Sequence, residues 1–228
     1  MKKKLINRGW DIKTNRCVAF LDIMGFKDLV ARNTHQKIYE MLNAITQIQN
    51  IIEYSDKDSI FITKFSDSIA IFSKDSKTES VQVFMGAVGY LFANCIRMEI
   101  PIKGAISYGQ ISVDIDNSLF FGQPIIDAYL LEEELKYYGV ILHHSAVNIL
   151  DQRKLLVENF VKHIETPLKC GRIFHYNLDW FSPSNAVYND DIKIDEYIKK
   201  FYKKISGAPR VYIDNTIAVY NSMLSRNK

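Results

Sequence analysis

The sequence is poor in the residues that staple or stiffen small folds, with 3 Cys, 5 Pro and 10 Gly among 228 residues. Cys17, Cys95 and Cys170 form an odd, widely spaced set in apolar surroundings. That reads as reduced thiols of a cytoplasmic protein, each a small core hydrophobe, and no zinc spacing is present. Scarce Gly and Pro exclude a collagen-like or low-complexity chain, and 47% apolar residues exclude disorder. A dominant charge is also lacking. The 29 basic and 26 acidic residues leave +3, part of it Lys2, Lys3 and Lys4 at a terminus expected to be mobile, so no nucleic-acid groove is implied. Long apolar runs are missing too. The longest uncharged stretch, Val81 to Ile96, is too short for a membrane span and carries Gln82, Gly86, Gly89 and Asn94. No apolar signal core follows the basic start. The expectation is a soluble cytoplasmic protein without membrane or nucleic-acid polymer as partner.

At about 150 residues per domain, this length suggests one domain with extensions. Cys17 to Ile23 is apolar on both faces, as a central strand would be. Ile38, Met41, Leu42, Ile45, Ile48 and Ile52 keep helical spacing over about 35–54, and residues 55–58 are expected to break that helix. Residues 59–65 and 68–72 read as a hairpin turning at Ser66-Asp67. A buried helix over 79–98 precedes Pro101. Residues 102–108 and 110–114 read as a second hairpin about Gly109, extended by 119–121. A helix from Gly122 to about Lys136 follows, then a strand over 140–143 and a short helix over 145–150. A last hairpin over 168–176 turns at Cys170-Gly171. The tail reads as helical, with Ile213, Ile217, Tyr220 and Leu224 on one stripe and Lys199, Lys200, Lys203 and Lys204 on a solvated face. The order βααββαββαβ with added C-terminal helices is class α+β: a mixed sheet flanked by helices. The domains read as an extension over 1–15, a main domain over 16–180 and a helical extension over 181–228.

Two carboxylates stand out. Asp22 lies in a run suited to a buried strand, where an unpaired charge is costly, and Asp67 lies at the tip of the first hairpin. If their strands are neighbours, both reach one end of the sheet and can hold divalent cations. Taken alone, Asp67 is equally well a turn residue bonding its own backbone, and Asp22 a strand-end cap. The five histidines have no metal-ligand spacing with Cys or Glu; His143 and His144, read as strand residues, would point to opposite faces.

Phe20-Leu-Asp-Ile-Met-Gly-Phe26 resembles the first-strand motif of class III nucleotidyl cyclases. Lys64-Phe-Ser-Asp-Ser-Ile-Ala-Ile-Phe72 is similar to that family's metal hairpin, with Ser66 where many members have Gly. Ile102-Lys-Gly-Ala-Ile-Ser-Tyr-Gly109 resembles the next strand, and Phe121-Gly-Gln-Pro-Ile-Ile-Asp-Ala-Tyr-Leu-Leu-Glu132 the strand-to-helix step after it. The likeness covers about 16–176, and its style is that of the compact pyrimidine cyclases of bacterial antiphage (Pycsar) defence. It implies two divalent cations, Mn²⁺ or Mg²⁺, on Asp22, Asp67 and the carbonyl of Ile23. One ion would activate the ribose 3′ hydroxyl against the α-phosphate, while the other would hold the triphosphate.

The resemblance also implies a phosphate cradle over Met24 to Lys27, including Phe26, a phosphate-binding Lys169, and a head-to-tail homodimer with shared sites. Where purine cyclases read the base, this chain has Thr63 and Leu119, which favours a pyrimidine. The expected product is cyclic UMP, or cyclic CMP, with pyrophosphate, acting through a separate cyclic-nucleotide-binding effector. The family's late-helix Asn and Arg fall on Ile126 and Leu130, so Lys103, Arg97 or Arg172 would have to supply the transition-state cation. That departure keeps a nucleotide-binding module without turnover as an alternative, beside a purine cyclase. No Gly-Gly-Asp-Glu-Phe hairpin of a diguanylate cyclase is present. The aromatics, with Phe120 and Phe121 beside Leu119, either cover a dimer face or fill the monomer core.

Overall fold

A computed structural model describes residues 9–56, 59–156, 160–181 and 194–225. Lys2, Lys3 and Lys4 and residues 182–193 and 226–228 of the C-terminal extension therefore lie outside the described residues. The strands are β1 (Lys13–Ile23), β2 (Ile60–Phe65), β3 (Ser68–Ser73), β4 (Ile102–Asp114), β5 (Leu119–Phe121), β6 (Val140–Leu142), β7 (Val161–Leu168) and β8 (Gly171–Leu178). They form one mixed sheet in the order β2-β3-β1-β4-β6-β8-β7, with β5 beside β4. Only β4 and β6 pair in parallel among these contacts. The helices are α1 (Phe26–Arg32), α2 (His35–Asp56), α3 (Thr78–Arg97), α4 (Gln123–Glu133), α5 (His144–Gln152), α6 (Ile194–Lys200) and α7 (Arg210–Ser225). The expected α+β class and element order are present.

Alternation along β1 builds two cores. Cys17, Ala19, Leu21 and Ile23 face the larger one, where Ile45, Ile48 and Ile52 of α2 and Phe84, Val88 and Phe92 of α3 cover the sheet. Val18 faces a smaller cluster with Trp10, Phe72, Ile111 and Val113. Phe120 joins that cluster, stacked 5.6 Å from Phe72, so the aromatic pair divides: Phe120 packs inward while Phe121 is exposed. The C-terminal helices close the larger core through Ile198, Ile213 and Tyr220. Tyr138 donates its backbone N–H to Thr216 Oγ1 of α7 at 2.8 Å.

Several expectations are corrected. β4 is one strand rather than a hairpin. Gly109 lies opposite Arg16 within the ladder, and a Cβ there would meet Pro124 at 3.1 Å, so the glycine admits α4 rather than a turn. The second hairpin is instead β4–β5, with Asp114 opposite Leu119. β1 starts at Lys13 because β4 continues beside it to Ser112. α2 runs on through Asp56, and residues 57 and 58 lie outside the described set. α4 ends at Glu133, where the chain leaves to bridge Leu135 to Leu168. β7 is an arm that the sequence reading lacked, and Cys170 sits exposed in its turn to β8. Cys17 and Cys95 are buried, which pushes both thiols up to about 12. His143 caps α5 and His144 opens it, their ring centres 3.9 Å apart, so they do not point to opposite sheet faces. On α7 the buried stripe includes Met223 rather than Leu224. Lys200 and Lys204 both reach Glu99, at 3.8 and 2.5 Å, so part of the lysine face pins the tail.

Candidate active site

The two expected carboxylates converge. β1 lies between β3 and β4, so its last residues meet the β2–β3 turn on one side and the start of β4 on the other. Asp22 stands opposite Ser68 of β3 and Lys103 of β4. Ser66 turns the hairpin with a left-handed φ of 58°, and Ile23 N–H donates to the Asp67 carbonyl at 3.0 Å. That bond holds the turn against the end of β1. Gln49 Nε2, donating to the Ile62 carbonyl at 3.0 Å, and Lys64, bonded to the Leu42 carbonyl at 3.1 Å, fasten the same hairpin to α2.

Electrostatics records the convergence. Asp22 and Asp67 are both half-buried. Burial holds the Asp22 carboxyl above its ordinary range; the Asp67 charge adds to this, and Lys103 opposes both. A hard divalent cation suits such a site, because oxygen donors of like charge are what it binds. The fit is therefore good for Asp22, Asp67 and a nearby main-chain oxygen such as that of Ile23. Among the described residues no group of three or more His, Cys, Asp or Glu is assembled to hold a metal, so these two carboxylates would be the acidic ligands.

The remaining expected residues are not all brought to this point: Leu119 pairs with Asp114, past the Lys13 end of β1, at the opposite end of the sheet from Asp22. Gly25, at φ 69°, turns the chain into α1, which opens on half-buried Phe26. The Met24 amide is already given to the Pro101 carbonyl at 2.8 Å, so of the expected phosphate cradle only Gly25, Phe26 and Lys27 keep amides at the helix entrance. Thr63 is half-buried on β2, opposite Ala70. Leu119 on β5 is 54% exposed, and Ile126 and Leu130 are exposed on α4. Lys169, in the β7–β8 turn, pairs loosely with Glu134 at 3.8 Å and is half-exposed. Arg172 donates to Asn215 at 2.8 Å.

Sequence reasoning missed one cluster. Lys103 is buried and pairs with Glu132 of α4 at 2.8 Å; it also donates to the Glu132 carbonyl at 2.9 Å. It is thus not a free cation of the kind expected. Glu132 is itself buried, and burial raises its carboxyl, with Lys103 opposing and Asp22 adding to the rise. Beside it, Tyr129 sets its ring edge-on to Phe20 at 5.4 Å and donates to Glu133 at 3.1 Å. The signal was available: a lysine inside an otherwise apolar strand needs a buried anion.

No protein-family model matches the sequence, and no curated protein matches it. Solved structures do. The catalytic core of a rhodopsin–guanylyl cyclase with converted specificity, in complex with ATPαS, superposes at a TM-score of 0.57 and 13% identity, covering 73% of this chain and 96% of that one. The guanylate cyclase domain of RhGC from Catenaria anguillulae, in complex with GTP, gives 0.52 and 14%, over 73% and 97%. The adenylyl cyclase CyaB from P. aeruginosa gives 0.51 and 17%, over 73% and 94%.

Proposed function

The fold is that of class III nucleotidyl cyclase catalytic domains, and from this premise we propose that the chain is a nucleotidyl cyclase acting on a pyrimidine nucleoside triphosphate, UTP before CTP. The observation that carries the reading is the meeting of Asp22 and Asp67 at the end of β1, each half-buried, with the Asp67 charge disfavouring that of Asp22. In the reaction the ribose 3′ oxygen bonds to the α-phosphorus, pyrophosphate leaves and the hydroxyl proton is lost. Divalent cations on such a site supply positive charge to the triphosphate and acidify the hydroxyl. The chain's part is to hold Asp22, Asp67 and the Ile23 carbonyl in place, while Phe26 and its neighbouring amides face the phosphates.

Base choice is read from what stands where purine cyclases place polar readers. Thr63 is short, and Leu119 is apolar and exposed, which leaves the larger, hydrogen-bonding edge of a purine without partners. Phe65 is exposed beside the site, while Leu119 and Phe121 are exposed at the other end of β4, and a second copy of the chain set head to tail covers both ends. Lys169 serves the partner's site in that arrangement. The product, cyclic UMP or cyclic CMP, then acts through a separate effector in antiphage defence. Purified protein is incubated with each of the four ribonucleoside triphosphates and Mn²⁺, and cyclic product is measured by chromatography. UTP or CTP turned over at least ~10-fold faster than ATP or GTP is the expected result. A preference for ATP overturns the pyrimidine assignment and keeps the cyclase. The apolar Ile126 and Leu130 on α4 favour a second reading, a nucleotide-binding module; tight binding with no product from any of the four would select it.

A further inference from the structure

The buried ion pair beside Asp22 has a use beyond stability. Lys103 and Asp22 are directly opposite in the β1–β4 register, so their side chains leave the same sheet face. Residues so paired carry Cβ atoms about 4.5–5.5 Å apart, well within a lysine's reach. Left alone, Lys103 would pair with Asp22. Instead its ammonium is turned to α4, held by the Glu132 carboxylate at 2.8 Å and the Glu132 carbonyl at 2.9 Å. The carbonyl belongs to the last turn of α4 and also accepts the Leu135 N–H at 3.1 Å, so the lysine adds a second donor to a helix end the following chain already closes. Both charges are nearly dry, with Lys103 at 6% and Glu132 at 3% exposure. A buried pair of this kind is rarely the most stable filling for such a space.

We infer that Glu132 is a positioning residue of the carboxylate site: it draws Lys103 away from Asp22, so that the aspartate stays open to a divalent cation. The inference rests on the reading of Asp22 and Asp67 as metal ligands. In Glu132→Gln the freed ammonium swings to Asp22 and competes with the cation. A second substitution, Lys103→Met, removes the competitor and leaves no charge behind.

The test is Mn²⁺ binding to the full chain, followed by the electron paramagnetic resonance signal of the free ion, with thermal melting to confirm folding. Glu132→Gln should weaken Mn²⁺ binding by about 10-fold or more, the worth of one charged hydrogen bond. Lys103→Met/Glu132→Gln should return it to within about 3-fold of wild type. Glu132→Asp keeps the charge but draws it back, and should weaken binding in the same direction should Glu132→Gln fail to fold. A pair with a merely structural role would lower melting temperatures in every variant without the loss and recovery of Mn²⁺ affinity; that result, or unchanged affinity in a folded Glu132 variant, overturns the inference. If wild type binds Mn²⁺ no better than Asp22→Asn, the metal reading itself fails, and the two failures are thereby distinguished.

Discussion

Asp22→Asn should make the metal-free protein more stable and the metal-loaded one less so. In the fold the Asp22 carboxyl sits above its ordinary range, because burial and Asp67 disfavour its charge and Lys103 offsets them only in part. A carboxyl raised in this way binds its proton more tightly folded than unfolded. Its contribution favours the fold below the unfolded value of about 3.9 and is lost as pH rises through the folded value. At neutral pH the ionised aspartate therefore works against the fold. Two unit charges about 4 Å apart repel by about 1 kcal/mol in water and about 4 kcal/mol near a protein surface. Both groups are half-exposed to solvent, so the lower figure applies, about 1 kcal/mol or ~2–4 °C in Tm for a chain of this size. Mn²⁺ should reverse the order. At a hundredfold excess over Kd it contributes about 2.7 kcal/mol, or ~5–10 °C, to the wild type and little to the variant. Thermal melts from pH 4 to pH 8, with EDTA or with Mn²⁺, measure both arms. A variant less stable than wild type in EDTA at pH 7, with the same Mn²⁺ shift as wild type, would refute the reasoning.

Gly104→Ala tests the β1–β4 contact that sets the register of Asp22. The added Cβ would run into Leu21 Cδ2 and lie 2.7 Å from the Phe20 carbonyl, and a main-chain atom cannot step aside. Urea unfolding should show a loss of about 1–3 kcal/mol, and an unchanged midpoint would contradict the close approach. Shared sites predict complementation. Mixing an Asp22→Asn chain with a Lys169→Ala chain should restore part of the activity, since one site of each mixed dimer keeps both halves. No recovery, with a monomeric mass by light scattering, would remove the shared-site arrangement.

The strands that carry the site were legible because their residues alternate or are apolar throughout, and Asp22 was visible as the one charge in such a run. What escaped was set by distant partners. The first residues of β1, Lys-Thr-Asn-Arg, are polar and extend only because the far half of β4 pairs with them; Arg16 is buried there with its guanidinium 5.0 Å above the Trp10 ring. Gly109 looked like a turn, whereas it clears space for Pro124. β7 holds Lys162, His163, Glu165 and Pro167 and does not read as a strand, yet at the sheet's edge a proline and charges are tolerated. The Lys103–Glu132 pair joins a strand to a helix end: the lysine within an apolar strand signalled a buried anion, but nothing local named its partner.

The central place of β1 also bears on how the chain acquires its shape. Its first partner, β3, lies nearly 50 residues away, and the pairing of Lys13 with Ser112 spans about a hundred. Such long closures slow folding, because chain entropy is surrendered before the contacts that reward it form. During synthesis the earliest-made strand, with Cys17, Ala19, Leu21 and Ile23 on one side, must wait unpaired until β3 and then β4 have emerged. Asp22 and Asp67 thus come together only once β3 has been made, and a nascent chain halted before β4 would display an apolar strand open on one edge, a target for chaperones or for aggregation.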